Sequence, residues 1–440
     1  MVRITWLKPE ERIVHEFAQL REQGLDAGPL EARWLDASAK SDADKRTLAL
    51  SLLDEADALS NAQPELEPEV FLASLPEDPP GQTPPPGVTS DRILGAWTGR
   101  VAGCLLGKPV EKVPRAGIRA ILESNGEWPL SRYFTAEGVP EAVTARYPWN
   151  RASRPTSLRE NIVCMPEDDD VNYTMLNLHV LETYGDTFST DDVATVWLER
   201  LPVLTVFTAE RVAYENLLAY VPPPHTARVR NPYREWIGAQ IRGDIFGLVS
   251  PGAPRRAATL ALRDARLSHT ENGVYGEMFV AATLAAAFTT TDPRRALEQG
   301  LTVVPPPSRL AEALRFALSL PAQTPDWEEA FDLLYARYGH LHWVHTINNA
   351  ALVTAALLYG EGDFGRSVAL AVMGGWDTDS NGATVGAVVG TLRGSAAIPE
   401  AWSAPLGDRI RSSLKGFDHA SITDLARRTA ALLPNGNDET

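Results

Sequence analysis

The sequence predicts a mainly α-helical fold, and three observations carry the prediction. Apolar residues recur at helical spacing in most segments from Glu10 to Leu433, whereas few runs alternate as strands do. Glycine occupies every fourth position at Gly95, Gly99, Gly103 and Gly107, and again at Gly382, Gly386, Gly390 and Gly394. A helix repeats every 3.6 residues, so each set forms one bare stripe. Glycine costs roughly 1 kcal/mol relative to alanine in a helix interior, so four in register imply that another backbone packs closely on that face. The two striped helices are therefore expected to pack against each other or around one site.

Length and composition bound the rest. A chain of 440 residues suffices for one large domain or two to three ordinary ones, and 44% apolar with 22% charged residues is the balance of a soluble globular protein. A net charge of −16 argues against a general nucleic-acid or anionic-membrane surface while leaving room for a local phosphate site. Two cysteines, Cys104 and Cys164, exclude a disulfide framework and a four-cysteine zinc site. The start, MVRITWLKPEER, has no apolar signal core, and apolar runs such as 278–288 are too short to span a bilayer. The expectation is a soluble cytoplasmic protein.

In chain order, residues 1–60 read as a helical extension without a chemical motif, suited to packing or partner contact. Ile13, Phe17 and Leu20 mark a helix over 10–23, and Leu48, Leu52 and Ala56 mark another over 42–59. Eight of the 30 residues in 61–90 are proline, which forbids a continuous helix and marks a linker or extended strap. Ser90 then caps the first glycine-striped helix, Pro109 stops it, and Glu111 hangs near its end. Residues 115–165 read as irregular. Their Trp128, Tyr133, Phe134, Tyr147 and Trp149 line a pocket or cover the core, and Arg151, Arg154 and Arg159 grip phosphate or lie in a solvated loop.

Helices follow over 191–201, 209–220, 233–241, 255–266, 309–320, 326–338, 344–359, 364–373, 403–414 and 421–433. Between them, His269, Asn272, Gly273 and Gly276 occupy a polar turn that can present backbone N–H groups to an anion. His345 and Asn348, three residues apart, share a helix face and either donate to a ligand or serve as satisfied buried groups.

Two acidic segments stand where helices begin. Glu167, Asp168, Asp169 and Asp170 precede an apolar helix closed by Gly185, and Asp377, Thr378, Asp379 and Ser380 precede the second glycine stripe. Free N–H groups and the helix dipole favour carboxylates there, and oxygen-rich side chains suit a hard cation. Each aspartate is otherwise a simple N-cap, and the four-acid run a surface patch. Consecutive helix residues point about 100° apart, so four adjacent carboxylates converge on one point only if the first lie outside the helix.

Three motifs in this order, GAWTGRVAGCLLGKPVE, EDDD before a long helix, and GWDTDSNGATVGAVVG, resemble the ADP-ribosylglycohydrolase family, which includes dinitrogenase-reductase-activating glycohydrolases. The resemblance covers roughly residues 91–435 and implies an orthogonal all-α bundle with two magnesium ions in a cleft. It matches Asp168, Asp169, Asp377, Asp379 and Ser380 to metal ligands, Glu111 to a glutamate acting on the attacking water or the sugar, and His269 to the border of the ligand's diphosphate and adenosine. Cys104 departs from the family's usual aspartate, and Glu167 and Asp170 replace its flanking threonines.

The implied chemistry is hydrolysis of a ribosyl C1 N- or O-glycosidic bond. Two Mg²⁺, or Mn²⁺, would be held by Glu167, Asp168, Asp169, Asp377, Asp379 and Ser380, with Glu111 or a metal-bound aspartate such as Asp169 as the base. The expected substrate is an ADP-ribosylated protein or a small ribosyl compound. Hydrolysis of a nucleoside, a non-catalytic ADP-ribose-binding role and metal-dependent phosphohydrolysis are the competing readings.

Overall fold

Residues 4–39, 41–62, 67–79 and 84–433 of the computed structural model are described. Among them the chain forms twenty-two α-helices joined by turns and short 3₁₀ segments, with only isolated β-bridges. The fold is all-α, and no helix among the described residues is long and apolar enough to cross a membrane.

The glycine-striped helices, Pro86–Gly107 and Thr378–Arg393, run antiparallel in direct backbone contact. Gly95 faces Gly390, Gly99 faces Gly386 and Gly103 faces Gly382. A Cβ on Gly103 would stand 2.5 Å from the Gly382 carbonyl carbon, and one on Gly386 would stand 2.6 Å from that of Gly99. No residue larger than glycine allows this approach. At the end of the seam the Thr378 hydroxyl donates to the Gly107 carbonyl at 2.8 Å, tying the C-terminus of one helix to the N-terminus of the other. Everything that follows Gly107 and precedes Thr378 is thereby delivered to one place.

Around this pair a continuous core runs from Leu72 to Ala426. The N-terminal helices Pro9–Glu22 and Asp42–Asn61 have a small core of their own, built on Ile13, Phe17, Leu20, Leu52 and Leu53. Polar contacts dock it onto the rest: Glu16 accepts from Arg234 at 2.9 and 3.0 Å, and Asp54 accepts from Arg230 at 2.6 and 2.8 Å.

Several elements differ from the sequence expectation. Within 61–90, Pro68–Ser74 is a helix with proline in its first turn, where a missing N–H costs nothing. Its Leu72 enters the main core, and Asp78 accepts from Arg255 N and Arg256 N at 2.9 Å, closing the start of helix Pro254–Ala265. Leu72 and Asp78 thus touch the main body; residues 63–66 and 80–83 lie outside the described residues. The first striped helix begins at Pro86 rather than after Ser90, again with proline in the first turn.

Residues 115–165 include the helix Arg115–Ser124. The helices expected over 233–241 and 403–414 do not form as read. The first is a series of turns in which Ile237 N donates to Val344 O, and the second extends to pair Ile410 with Met165 and Ala420. In both, some backbone groups bond across the chain and interrupt the local pattern.

Candidate active site

The striped pair, helix Asp169–Tyr184 and the turns after Pro202 and before Val344 enclose a cleft of 430 Å³. Glu111, Glu167, Asp168, Asp169, Asp170, Asp377, Asp379 and Ser380 all line it. The sequence-predicted acids therefore come together from three separate parts of the chain.

Each is placed by a local device. A tight turn, Gly375 at φ 78° and Trp376 at φ 56°, delivers Asp377. Trp376 stacks on Tyr335 with ring centroids 4.3 Å apart, and Tyr335 Oη donates to Gly374 O at 2.8 Å, which fixes the turn. Asp377 N donates to Asn349 Oδ1, which also accepts from Asn381. Asp168 is the N-cap of helix Asp169–Tyr184 and accepts from Asp170 N at 2.9 Å. Glu111 follows a single 3₁₀ turn, and its Oε2 accepts from Asn150 Nδ2 at 2.6 Å while Lys112 Nζ lies 3.2 Å from Oε1.

Sequence reasoning left Asp170 among the flanking replacements, yet the structure turns it fully inward. Its Oδ2 accepts from Ser380 Oγ at 3.1 Å, while its Oδ1 is buried without a hydrogen-bond partner, 3.6 Å from Arg100 Nη2. Arg100 is itself buried, donates to Asp170 O at 2.6 Å and pairs with Asp244 at 2.8 Å. Glu167 sits at the exposed rim, where its Oε1 accepts from Ser413 N at 2.9 Å and Asn172 Nδ2 at 3.2 Å.

Lys108 was also missed. Its ammonium bonds the Asp168 carboxylate and, at 3.1 Å, the Glu167 carbonyl. The signal was present as the one cation in GKPVE. Glu210, bonded to buried Arg242 at 3.0 Å, completes the acidic lining.

Burial and mutual repulsion dominate the electrostatics. Asp169, Asp170 and Asp377 are held well above the usual carboxylate range, first by burial and then by neighbouring carboxylates. Asp379 is pushed up to about 7 by burial, with Glu111 and Asp168 adding to it. Burial also works against ionised Asp168, but the Lys108 ammonium outweighs it and holds this group below its ordinary value.

This donor set fits a hard divalent cation. Cys104, Asp168 and Asp170 offer ligand atoms within 4.8 Å of one another, and Asp170 Oδ1 is buried with the Arg100 charge 3.6 Å away but no hydrogen bond to it. Burial and the nearby aspartates push the Cys104 thiol up, so the carboxylates are the better ligands.

The residues read as substrate contacts are not among those lining the cleft. Buried His269 bonds Ser268 at 2.8 Å and borders a separate 40 Å³ cavity. Asn272 bonds Glu235 and Leu310 N, both at 2.9 Å. A Cβ on Gly273 or Gly276 would stand 2.5 Å from Arg234 O or Thr346 Cγ2, so these glycines serve close packing. His345 caps its helix by accepting from Ile347 N at 3.1 Å, with Glu22 at 3.2 Å, and Asn348 donates to His342 O at 3.2 Å. None of the six lines the cleft, although His269 Nε2, His345 Nε2 and Asn348 Oδ1 are buried without a hydrogen-bond partner.

The profile of the ADP-ribosylglycohydrolase family matches residues 85–438. The chain belongs to the ADP-ribosylglycohydrolase family. It is thus a glycosidase of the ADP-ribosyl type. Among solved structures it is similar to one titled "ADP-ribosylglycohydrolase-related protein complex", at 20% identity and a TM-score of 0.48, covering 80% of this chain and 99% of that one. No curated protein matches it.

Proposed function

We propose that this ADP-ribosylglycohydrolase is a divalent-metal-dependent hydrolase of a ribosyl C1 N- or O-glycosidic bond that releases ADP-ribose from an ADP-ribosylated substrate. One observation carries the reading: five aspartates from two helix starts converge with Glu111 on a single cleft. Asp168, Asp169, Asp170, Asp377, Asp379 and Ser380 would hold the metal, taken as Mg²⁺ in two sites with Mn²⁺ an alternative. Bound there, it would supply positive charge to orient the ribose hydroxyls and acidify water.

The chain's own residues do the rest. The Glu111 side chain is 21% exposed, so water reaches it while Asn150 and Lys112 hold both oxygens in place. It accepts the proton of the attacking water. Breaking the C1 bond builds positive charge on the sugar ring, which the surrounding carboxylates stabilise. The two buried cysteines are free thiols, which suits the cytoplasmic location included in this proposal.

The test is release of free ADP-ribose from an ADP-ribosylated protein in Mg²⁺, with and without EDTA. Release that stops on chelation and in Asp377→Ala is expected. Release indifferent to both, or liberation of base from nucleosides with no action on ADP-ribosyl substrates, would overturn it.

A further inference from the structure

Trp6 lies far outside the segment that matches the family, residues 85–438, yet it lines the acidic cleft. Its backbone is left-handed at φ 69°, a conformation costly for a large aromatic residue and kept only where surroundings impose it. The surroundings here are two arginines. Arg12 Nε donates to Trp6 O at 3.2 Å, and Arg211 Nη1 donates to Thr5 O and Oγ1 at 3.1 and 2.9 Å. Held this way, the indole meets Trp236 edge-on with centroids 6.0 Å apart.

The helix behind Trp6 grips the very turns that carry the cleft's other tryptophans. Glu16 and Gln19 bond Arg234 and Glu235, immediately before Trp236, and Glu22 reaches His345, two residues after Trp343. Those two turns are themselves joined by the Trp236–His345 bridge and by Ile237 N donating to Val344 O at 2.8 Å. The cleft lining thus combines an acidic floor with an aromatic wall of Trp6, Phe207, Trp236 and Trp343.

We propose that Trp6 is a specificity-determining residue contributed by the N-terminal extension: with Trp343 it receives a flat heteroaromatic ring of the substrate while the acidic floor receives a ribose, and Trp236, itself stacked on His342 with centroids 4.1 Å apart, backs it. The proposal rests on the ribosyl-hydrolase reading above. Rings that stack on aromatic side chains lose about tenfold or more in affinity when the side chain is cut to alanine, and a phenyl ring keeps the stacking face.

The experiment is isothermal titration of the full-length wild type, Trp6→Ala and Trp6→Phe in Mg²⁺, with ADP-ribose and with ribose 5-phosphate, which lacks the ring. Thermal melts of each protein accompany it. Expected are a loss of about tenfold or more for ADP-ribose in Trp6→Ala, ribose 5-phosphate affinity within about twofold of wild type, and recovery of most ADP-ribose affinity in Trp6→Phe. Equal losses for both ligands, or no loss for either, would overturn the role of Trp6 while leaving the ribosyl reading intact. Failure of both ligands to bind the wild type would remove the ribosyl reading and the proposal with it.

Discussion

Substituting Gly103 with alanine tests the seam on which the site is hung. In an isolated helix this change stabilises by roughly 1 kcal/mol, because alanine loses less backbone entropy. Here the added carbon would stand 2.5 Å from the Gly382 carbonyl carbon and closer still to its oxygen, inside the 3.0 Å that such carbons keep. The obstacle is backbone, not a side-chain tip that can rotate away, so the helices must separate. Overpacking of this kind costs about 1–3 kcal/mol, which exceeds the propensity gain. Because Glu111 leaves one helix and Asp377 and Asp379 enter the other, separation also spreads the acids. Urea unfolding should show Gly103→Ala destabilised by up to about 2 kcal/mol net, with weaker Mg²⁺ binding by calorimetry. Gly87→Ala, where a Cβ meets nothing within 4 Å, should be neutral or stabilising. Gly103→Ala as stable as wild type would refute the reasoning.

Three further outcomes follow from the cleft. Asp170→Asn keeps the shape and the bond with Ser380 but removes a charge from a buried ligand set, so Mg²⁺ affinity should fall about tenfold or more in calorimetric titration while the fold remains. Glu111→Gln should lower kcat about 10²–10⁴-fold with Mg²⁺ binding within a few-fold of wild type, since the residue is read as base rather than ligand. For pH, the folded state raises Asp379 to about 7 and also raises Asp169, Asp170 and Asp377. The folded chain then holds more protons than the unfolded chain above pH 4, so this contribution to stability is complete below about pH 4 and is lost as pH rises through 7. In EDTA the melting temperature should therefore fall between pH 5 and pH 8, and Mg²⁺ should reduce the fall; a melting temperature that rises over this interval in EDTA would contradict the sign.

What the sequence disclosed and what it hid have separate physical causes. The seam was legible because only glycine permits backbone contact and its four-residue step survives in one dimension. The partnering of Gly99 with Gly386 and Gly103 with Gly382 follows from that constraint. Asp168, Asp169, Asp377 and Asp379 were legible because helix starts gather carboxylates, and Glu111 only through the resemblance to the family; all five line the cleft.

The inward placement of Asp170 was not legible, for a reason of phase. One residue shifts direction by about 100°, and the string EDDD does not say which acid is the cap. With Asp168 as cap, Glu167 falls outside on Ser413 and Asp170 swings in toward Ser380 and Arg100. Arg100 and Arg242 carry no local signal either, yet both are buried and bonded to acids elsewhere in the chain. His269 and His345 are buried outside the cleft lining, since polar type alone does not say whether a side chain faces a ligand or the core.

Trp6 combines both problems. Its segment has no motif, and its place in the cleft depends on Arg12 and Arg211, one local and one two hundred residues away. A property fixed by such distant partners appears in no local pattern, which is why the acidic floor could be read from the sequence and the aromatic wall could not.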